Sequence, residues 1–505
     1  MLKDASFRRQ AFWLVVTLWA VTSLPYVALY VIGRGQGRVF VGLIYNLYDG
    51  LSYFAKMQQG YQGAWRFRLP YTADAEPTAY LFVFHLALGH LARFFHLPIP
   101  LVYHAARLLG GAFLVVALGL WFRSLQDELP AWRTAWTWSV WAVGMEAWGF
   151  LVGYGSIIPE LYPFLSSLVN AHFPWALAFL TLAMHPGWLR RWQQGPRASV
   201  VVGLTVLGLA LALLAPFGVL VAGTAWGLWA LRMARERAWS EVRARVGMAL
   251  CLGVGAAPYL AYVVWAVHQD PWLAGWNAQN QTPIEGFWKT LFLFSPWWLL
   301  ALLGGWRKGA PGIAGYWIAA GWAWALAPLA LQRRMWLGMA VPLVTLAMAW
   351  LSQKPRRTRW MVLVLLAPSW ALMIGGAILN ARLPNSMLFL SPTEWRALQW
   401  MARHLPPDQR VLTGPETGPY VPAFTGHRVF YGHIFETYPA EGERDWVVRT
   451  LCERDRARAL AALRARSVQW VLWTPRESAL CAPPAWLAAL TPVWQEGDVT
   501  LYRVP

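Results

Sequence analysis

From Ala11 to about Leu379 the chain is a succession of apolar stretches separated by short polar connections. Many of the stretches approach the roughly 20 helical residues needed to cross a hydrocarbon layer of about 30 Å. Beyond that point the pattern changes. From roughly Pro384 to Pro505 the chain is rich in Arg, Asp, Glu and Pro, with short mixed segments of the kind a soluble α/β domain uses. The expected fold is therefore mainly α: a polytopic membrane helical domain over residues 1–383, followed by a C-terminal α/β domain over 384–505. Composition agrees, because 57% hydrophobic and 13% charged residues over 505 positions exclude an ordinary soluble protein.

The stretch Ala11 to Ile32 follows Lys3, Arg8 and Arg9 as a signal peptide would, but it is long and no small-residue cleavage site follows it, so it reads as a retained span. Orientation follows from keeping Lys and Arg in short cytoplasmic loops. Four loops decide it: Arg190, Arg191 and Arg197; Arg232, Arg235, Arg237, Arg243 and Arg245; Arg307 and Lys308; and Lys354, Arg356, Arg357 and Arg359. Spans beginning near Ala11, Leu101, Thr134, Ala171, Ser199, Phe217, Gly247, Phe287, Gly312, Met335 and Trp360 satisfy it, about eleven in all. With the amino terminus in the cytoplasm, an odd number places the C-terminal domain outside a cell inner or plasma membrane. Thr78 to Phe95 must then not cross, and is expected as a half-buried helix on the outer surface. Ser199 to Leu231 reads as two short spans meeting at Pro216-Phe217, or as one kinked helix.

The formal charge of +19 sits mostly in these inside loops, so topology accounts for it and nucleic acid is not an expected partner. The 36 Trp residues fall often near span ends, where indoles favour the membrane interface. Cys452 and Cys481 both lie in the external domain, where an oxidising compartment permits a disulfide but does not require one. No CxxC, HExxH, Walker or GxGxxG pattern stands in a credible context. Paired glycines such as Gly110-Gly111, Gly304-Gly305 and Gly375-Gly376 suit close helix packing.

Candidate chemistry collects on the outer face. The longest external connection, residues 33–100, carries Asp49, Lys56, Arg66, Arg68, Asp74 and Glu76, and a long structured loop is often functional. Within it Tyr48 to Gly60 reads as a short amphipathic helix, with Tyr53 and Phe54 dipping into the headgroups, Lys56 at phosphate level and Asp49 capping the amino-terminal end. Asp49 is thus either a cap or a functional carboxylate. A second outer connection, Gly153 to Pro163, offers Glu160, followed by His172 in Asn170-Ala171-His172-Phe173-Pro174. Each has a bland alternative as a loop residue or a backbone-bonded histidine. Arg333 and Arg334 break the basic-inside pattern, either snorkelling to lipid headgroups or binding a specific phosphate through bidentate hydrogen bonds.

This arrangement resembles the C-type (GT-C) superfamily of membrane glycosyltransferases, which includes oligosaccharyltransferases, protein O-mannosyltransferases and lipid A aminoarabinose transferases. The resemblance rests on an acidic residue early in the first outer loop followed by Tyr, Ala and Gly (Asp49, Tyr53, Ala55 and Gly60). It continues in a loop helix entered through a proline, Glu76-Pro77-Thr78-Ala79-Tyr80, a span opening with Ala106-Arg107-Leu108, and a second outer acidic residue, Glu160. The chain lacks the WWDYG-type signature of oligosaccharyltransferases and has no Asp-Glu pair beside Asp49. In the C-terminal domain the most patterned pieces are Pro415-Glu416-Thr417-Gly418-Pro419-Tyr420-Val421-Pro422 and Gly432-His433-Ile434-Phe435-Glu436.

The resemblance implies transfer of a sugar from a polyprenyl-phosphate carrier, itself a membrane lipid, to an acceptor hydroxyl on a glycan, lipid or protein. The leaving phosphate needs no proton, so one base suffices, and Asp49 is the candidate. Arg333 or Arg334 would stabilise the growing phosphate charge, with Arg107 or Lys56 as alternatives. Glu160 and Glu76 would orient acceptor or sugar, or help hold a divalent metal, whose requirement the sequence leaves open because such a site wants several converging oxygen ligands. His172 and Tyr53 complete the acceptor side. Two other classes fit the same hydropathy: a transporter or flippase, which usually carries charged or broken-helix sites near mid-membrane, and a non-catalytic membrane scaffold.

Overall fold

The computed structural model describes residues 4–195, 197–305, 312–383 and 387–505. Lys3, the Arg307-Lys308 loop and the residue 383/384 boundary between the expected domains fall on or beside positions outside the described residues. The chain forms two compact units.

The first unit, Met1–Pro25, Ala105–Tyr262 and Thr282–Leu379, is helical. Across the whole chain five helices are long and apolar enough to cross a membrane: Ala5–Gly35, Ile99–Ser124, Pro216–Arg235, Trp239–Gln269 and Arg356–Asn380. Phe287–Leu293 and Trp297–Gly305 form a pair bent by 85° that passes the same test together. The other expected span starts fall on shorter helices, Trp132–Val140, Phe173–Ala183, Ala198–Leu214, Gly312–Leu326 and Ala340–Leu351. Ser199 to Leu231 is two helices broken at Ala215, whose extended ψ of 77° is what a following proline imposes. Small residues set the closest approaches. A Cβ at Gly208 would fall on the Leu252 carbonyl and one at Gly255 on the Thr205 carbonyl, so the Ala198–Leu214 and Trp239–Gln269 helices touch backbone to backbone.

The second unit, Tyr26–His104, Val263–Gln281 and Asn380–Pro505, contains a mixed five-stranded sheet. Its order is Arg428–Val429, Arg410–Leu412, Trp470–Trp473, Val499–Arg503, Thr491–Glu496. The first three strands are parallel and the last two antiparallel. Two helices start with the same device, Ser391-Pro392-Thr393-Glu394 and Thr474-Pro475-Arg476-Glu477. In each, the N-cap hydroxyl and the Glu three residues on satisfy one another's backbone amides, and proline fills the first helical position. The sheet and helices bury Leu412, Phe430, Val447, Leu463, Val471 and Trp486 in one core. Cys452 and Cys481 are joined by a disulfide, with Cα atoms 5.8 Å apart.

The long connection over residues 33–100 folds into this same unit. Val39–Phe40 pairs antiparallel with Phe389–Leu390. Thr78 to Phe95 contributes the helix Val83–Phe94, about 18 Å long at 1.5 Å per residue and too short to cross. It packs against the helix Leu47–Tyr61, where a Cβ at Gly60 would fall on the Leu86 carbonyl and one at Gly89 on the Met57 carbonyl.

Two expectations for this helix need correction. Asp49 is not the cap: Asn46 is, in a left-handed conformation with φ 47°, and Asp49 stands in the first turn. Tyr53, Phe54 and Lys56 do not face headgroups but are buried. The reason is that the helix is covered on more than one side, by Val83–Phe94, by Tyr420–Thr425 and by residues of the C-terminal segment. A one-sided amphipathic reading could not foresee these partners.

Candidate functional site

Two groups of charged residues emerge, one in each unit. In the second unit the helix Leu47–Tyr61 meets the turn Gly432-His433-Ile434-Phe435-Glu436. That turn is held by its own bonds: the amides of Gly432 and His433 donate to Thr437 Oγ1, each at 3.2 Å, and the Thr437 amide donates to the His433 carbonyl at 2.9 Å. The amides of Phe435 and Glu436 both donate to His433 Nδ1, at 3.0 and 3.2 Å. A nitrogen that accepts from two amides is not the ring's donor, which leaves Nε2 as the donor position. Nε2 lies 3.4 Å from Asp49 Oδ1. The histidine side chain is 2% exposed and Asp49 38%, so a fixed donor faces a carboxylate that keeps access to solvent. Tyr48 and Tyr71 flank the imidazole at ring distances of 5.8 and 5.9 Å. Burial, with the charges of Glu436 and Asp49, pushes the Tyr71 phenol well above its ordinary range and keeps it protonated.

Two turns along the same helix face, Lys56 has a different setting. Its fully buried ammonium donates to Glu436 Oε1 at 2.5 Å and to Ser52 Oγ at 2.6 Å, Ser52 donates to the same carboxylate oxygen at 2.7 Å, and the Phe82 ring lies 3.9 Å away. This ammonium is consumed inside the protein, which corrects its placement among groups reaching a lipid phosphate. Tyr53 is stacked on His85 at 4.6 Å in the same interior. Glu76 lies elsewhere in the unit, tied to Arg410 at 2.8 Å, Arg428 at 3.2 Å and Arg68 at 3.7 Å. Burial opposes its ionisation, but these arginines hold its carboxyl below the usual range.

In the first unit, Glu160 is 2% exposed and pairs with Arg334 Nη1 at 3.2 Å. The Glu160 and Leu161 carbonyls accept from the Gly338 and Ala340 amides, at 2.9 and 3.3 Å. These bonds fix the loop against Gln332–Trp336, the short 3-10 helix carrying both arginines. The Arg334 guanidinium stands 5.8 Å over the Phe173 ring, and His172 lies against the same ring at 4.2 Å. Arg333 donates its amide to the Thr282 carbonyl at 2.9 Å and reaches Glu285 at 3.4 Å. Glu285 also binds Lys289 and accepts from Ser156 at 3.4 Å. Burial resists ionisation of Glu285, but Lys289, Arg333 and Ser156 outweigh it and lower its carboxyl. Among the described residues, Arg333 and Lys289 thus meet at Glu285, and Arg334 at Glu160. Arg107 is separate, buried and donating to the Ser167 carbonyl at 2.7 Å.

The sequence reading named Asp49, Glu160, His172 and the arginine pair and gave no role to their neighbours His433, Glu436, Glu285 and Lys289. The Gly432–Glu436 pattern was visible without a role, and Glu285 with Lys289 at i,i+4 before a span was a readable signal. Among the described residues no three His, Cys, Asp or Glu side chains are grouped to hold a metal ion.

A family profile described as a family of unknown function, DUF6541, matches residues 380–505. No curated protein matches the chain in sequence. Among solved structures, the apo oligosaccharyltransferase from Archaeoglobus fulgidus aligns over 93% of this chain and 71% of its own, with TM-score 0.53 and 12% identity. The oligosaccharyltransferase AglB from the same organism, in complex with an inhibitory peptide and a dolichol-phosphate, aligns over 93% and 70%, with TM-score 0.50 and 11% identity. The arabinofuranosyltransferase AftD from Mycobacteria aligns over 96% of this chain but 40% of its own length, with TM-score 0.55 and 16% identity. These proteins are glycosyltransferases of the C-type superfamily. The likeness is one of fold: the chain is a multi-pass membrane protein with a C-type glycosyltransferase fold.

Proposed function

We propose that the chain is a membrane glycosyltransferase that moves a sugar from a polyprenyl-phosphate carrier to an acceptor hydroxyl at the outer membrane face, with Asp49 as the general base. In this reading about eleven spans carry the chain, the amino terminus is cytoplasmic and the 384–505 region is extracytoplasmic. The observation that supports it is a partly exposed Asp49 whose Oδ1 lies 3.4 Å from Nε2 of the buried His433. A carboxylate is a useful base when the acceptor can reach it and its position is fixed. In this reading His433, itself fixed by its turn, holds the Asp49 carboxylate in place.

The acceptor hydroxyl gives its proton to Asp49 as its oxygen forms the bond to the anomeric carbon. The bond from that carbon to the carrier phosphate breaks, and its electron pair leaves with the phosphate. Arg333 and Arg334 are the candidates to meet a phosphate that becomes more negative as the sugar departs. Glu160 aims Arg334, and His172 with Phe173 forms the adjoining wall. No step is routed through a metal.

Turnover of a radiolabelled polyprenyl-phosphate sugar by the purified protein tests this. Asp49→Asn is expected to lower it by about 10² to 10⁴, the usual contribution of a positioned base, with expression unchanged. Full turnover in that variant removes Asp49 from the role, and a bound carrier whose phosphate lies away from Arg333 and Arg334 removes theirs.

A further inference from the structure

The second unit holds a cavity of about 480 Å³ that the transfer chemistry does not use. It is walled by Trp65, Tyr80, Arg66, Arg68, Asp408 and Arg428, from the outer connection and the C-terminal segment. Trp65 is 49% and Tyr80 48% exposed, so both rings offer a face to a ligand in this wall. Trp65 does not swing freely: its indole is stacked on His90 at 4.0 Å with planes 19° apart, and His90 is itself bonded to the Ala64 carbonyl at 3.1 Å. The wall beneath is equally fixed, because Gln59 accepts from the Arg68 amide at 3.0 Å and donates to the Arg68 carbonyl at 2.8 Å.

We propose that this cavity binds an anionic saccharide, such as a chain of uronic acids. A sugar ring has one face of C–H groups that packs on an indole and a rim of hydroxyls that planar guanidinium, amide and carboxylate groups bind in pairs, and the cavity offers both. Charge selects the acidic kind. Arg68 and Arg428 share Asp408, the latter pair at 2.7 Å, and both also reach Glu76. Arg66 donates to the Thr78 carbonyl at 2.7 Å and has no carboxylate within ion-pair distance among the described residues. Its guanidinium, 5.9 Å from the Tyr80 ring centre, is the uncompensated cation at the mouth. The site needs neither Asp49 nor a donor, so its occupancy is separable from transfer.

Calorimetry on the full-length protein in detergent, with an oligogalacturonate, a cello-oligosaccharide of equal length and a short poly-glutamate, tests the assignment. The oligogalacturonate should bind, with affinity falling about tenfold or more in Trp65→Ala and in Arg66→Met, as expected for losing a stacking surface or a charge-assisted hydrogen bond. Asp49→Asn should bind it as the parent does, so a failure of the transferase reading leaves this result standing. Equal binding of the neutral sugar overturns the role of charge, equal binding of poly-glutamate overturns the saccharide, and no binding of the acidic sugar by a protein with unchanged melting temperature overturns the site.

Discussion

Asp49 and Glu160 are both carboxylates in connections between long helices, yet their surroundings differ in exposure and in partner. Glu160 is 2% exposed and 3.2 Å from a guanidinium, whereas Asp49 is 38% exposed and 3.4 Å from an imidazole. A buried carboxylate beside a guanidinium fixes that cation's position. In the proposed reading Glu160 therefore places Arg334, and the more exposed Asp49 takes the acceptor's proton.

The largest effect should separate the two residues by kind. Asn at Asp49 should leave the melting temperature in detergent unchanged while abolishing most turnover. Gln at Glu160 should lower stability by about 2–3 kcal/mol, because Arg334 loses its partner in a mostly buried setting. If both variants lose stability alike, the division of labour fails. Lys56 with Glu436 is the extreme closed case. Lys56→Met should cost about 3–5 kcal/mol by stranding a buried carboxylate, and adding Glu436→Gln should recover much of it, as double-variant melting would show. A double variant no better than the single would mean that the pair's geometry, not its charge balance, holds the helix.

His433 tests the open case through position instead of charge. His433→Ala should lower turnover by about tenfold, the scale of losing one group that positions the Asp49 carboxylate. His433→Asn, which still offers an N–H, should restore part of it. Equal losses in both variants would make the residue merely structural.

What the sequence disclosed and what it hid divide along chain distance. Helices over Ala5–Gly35 and Arg356–Asn380 follow from local hydropathy, and the break before Pro216 from backbone sterics. The buried state of Lys56 does not, because its partner Glu436 lies 380 residues away. On local pattern alone a lysine beside Tyr53 and Phe54 on a loop helix reads as facing the membrane surface. The Asp49–His433 contact was hidden for the same reason. The arginine pair was legible because it violated a topological rule, and Glu160 because of where it fell between spans.

The smallest predicted effect concerns Glu76, a third carboxylate, which is exposed like Asp49 but surrounded by cations like Glu160. Arg428, Arg410 and Arg68 draw its folded value below the ordinary 4.5, against the opposing effect of burial. Its contribution to stability is therefore present above about pH 4.5 and is lost as pH falls through the lowered folded value. At 57% side-chain exposure the contribution is screened, below about 1 kcal/mol. Melting curves at pH 7 and pH 3.5 should show Glu76→Gln slightly less acid-sensitive than the parent at low salt, with the difference shrinking in high salt. Its turnover should match the parent's, since its charge is already spent on arginines. A loss of turnover as deep as that of Asp49→Asn would break the comparison at its root, because exposure alone, whatever the neighbours, would then mark a catalytic carboxylate in this protein.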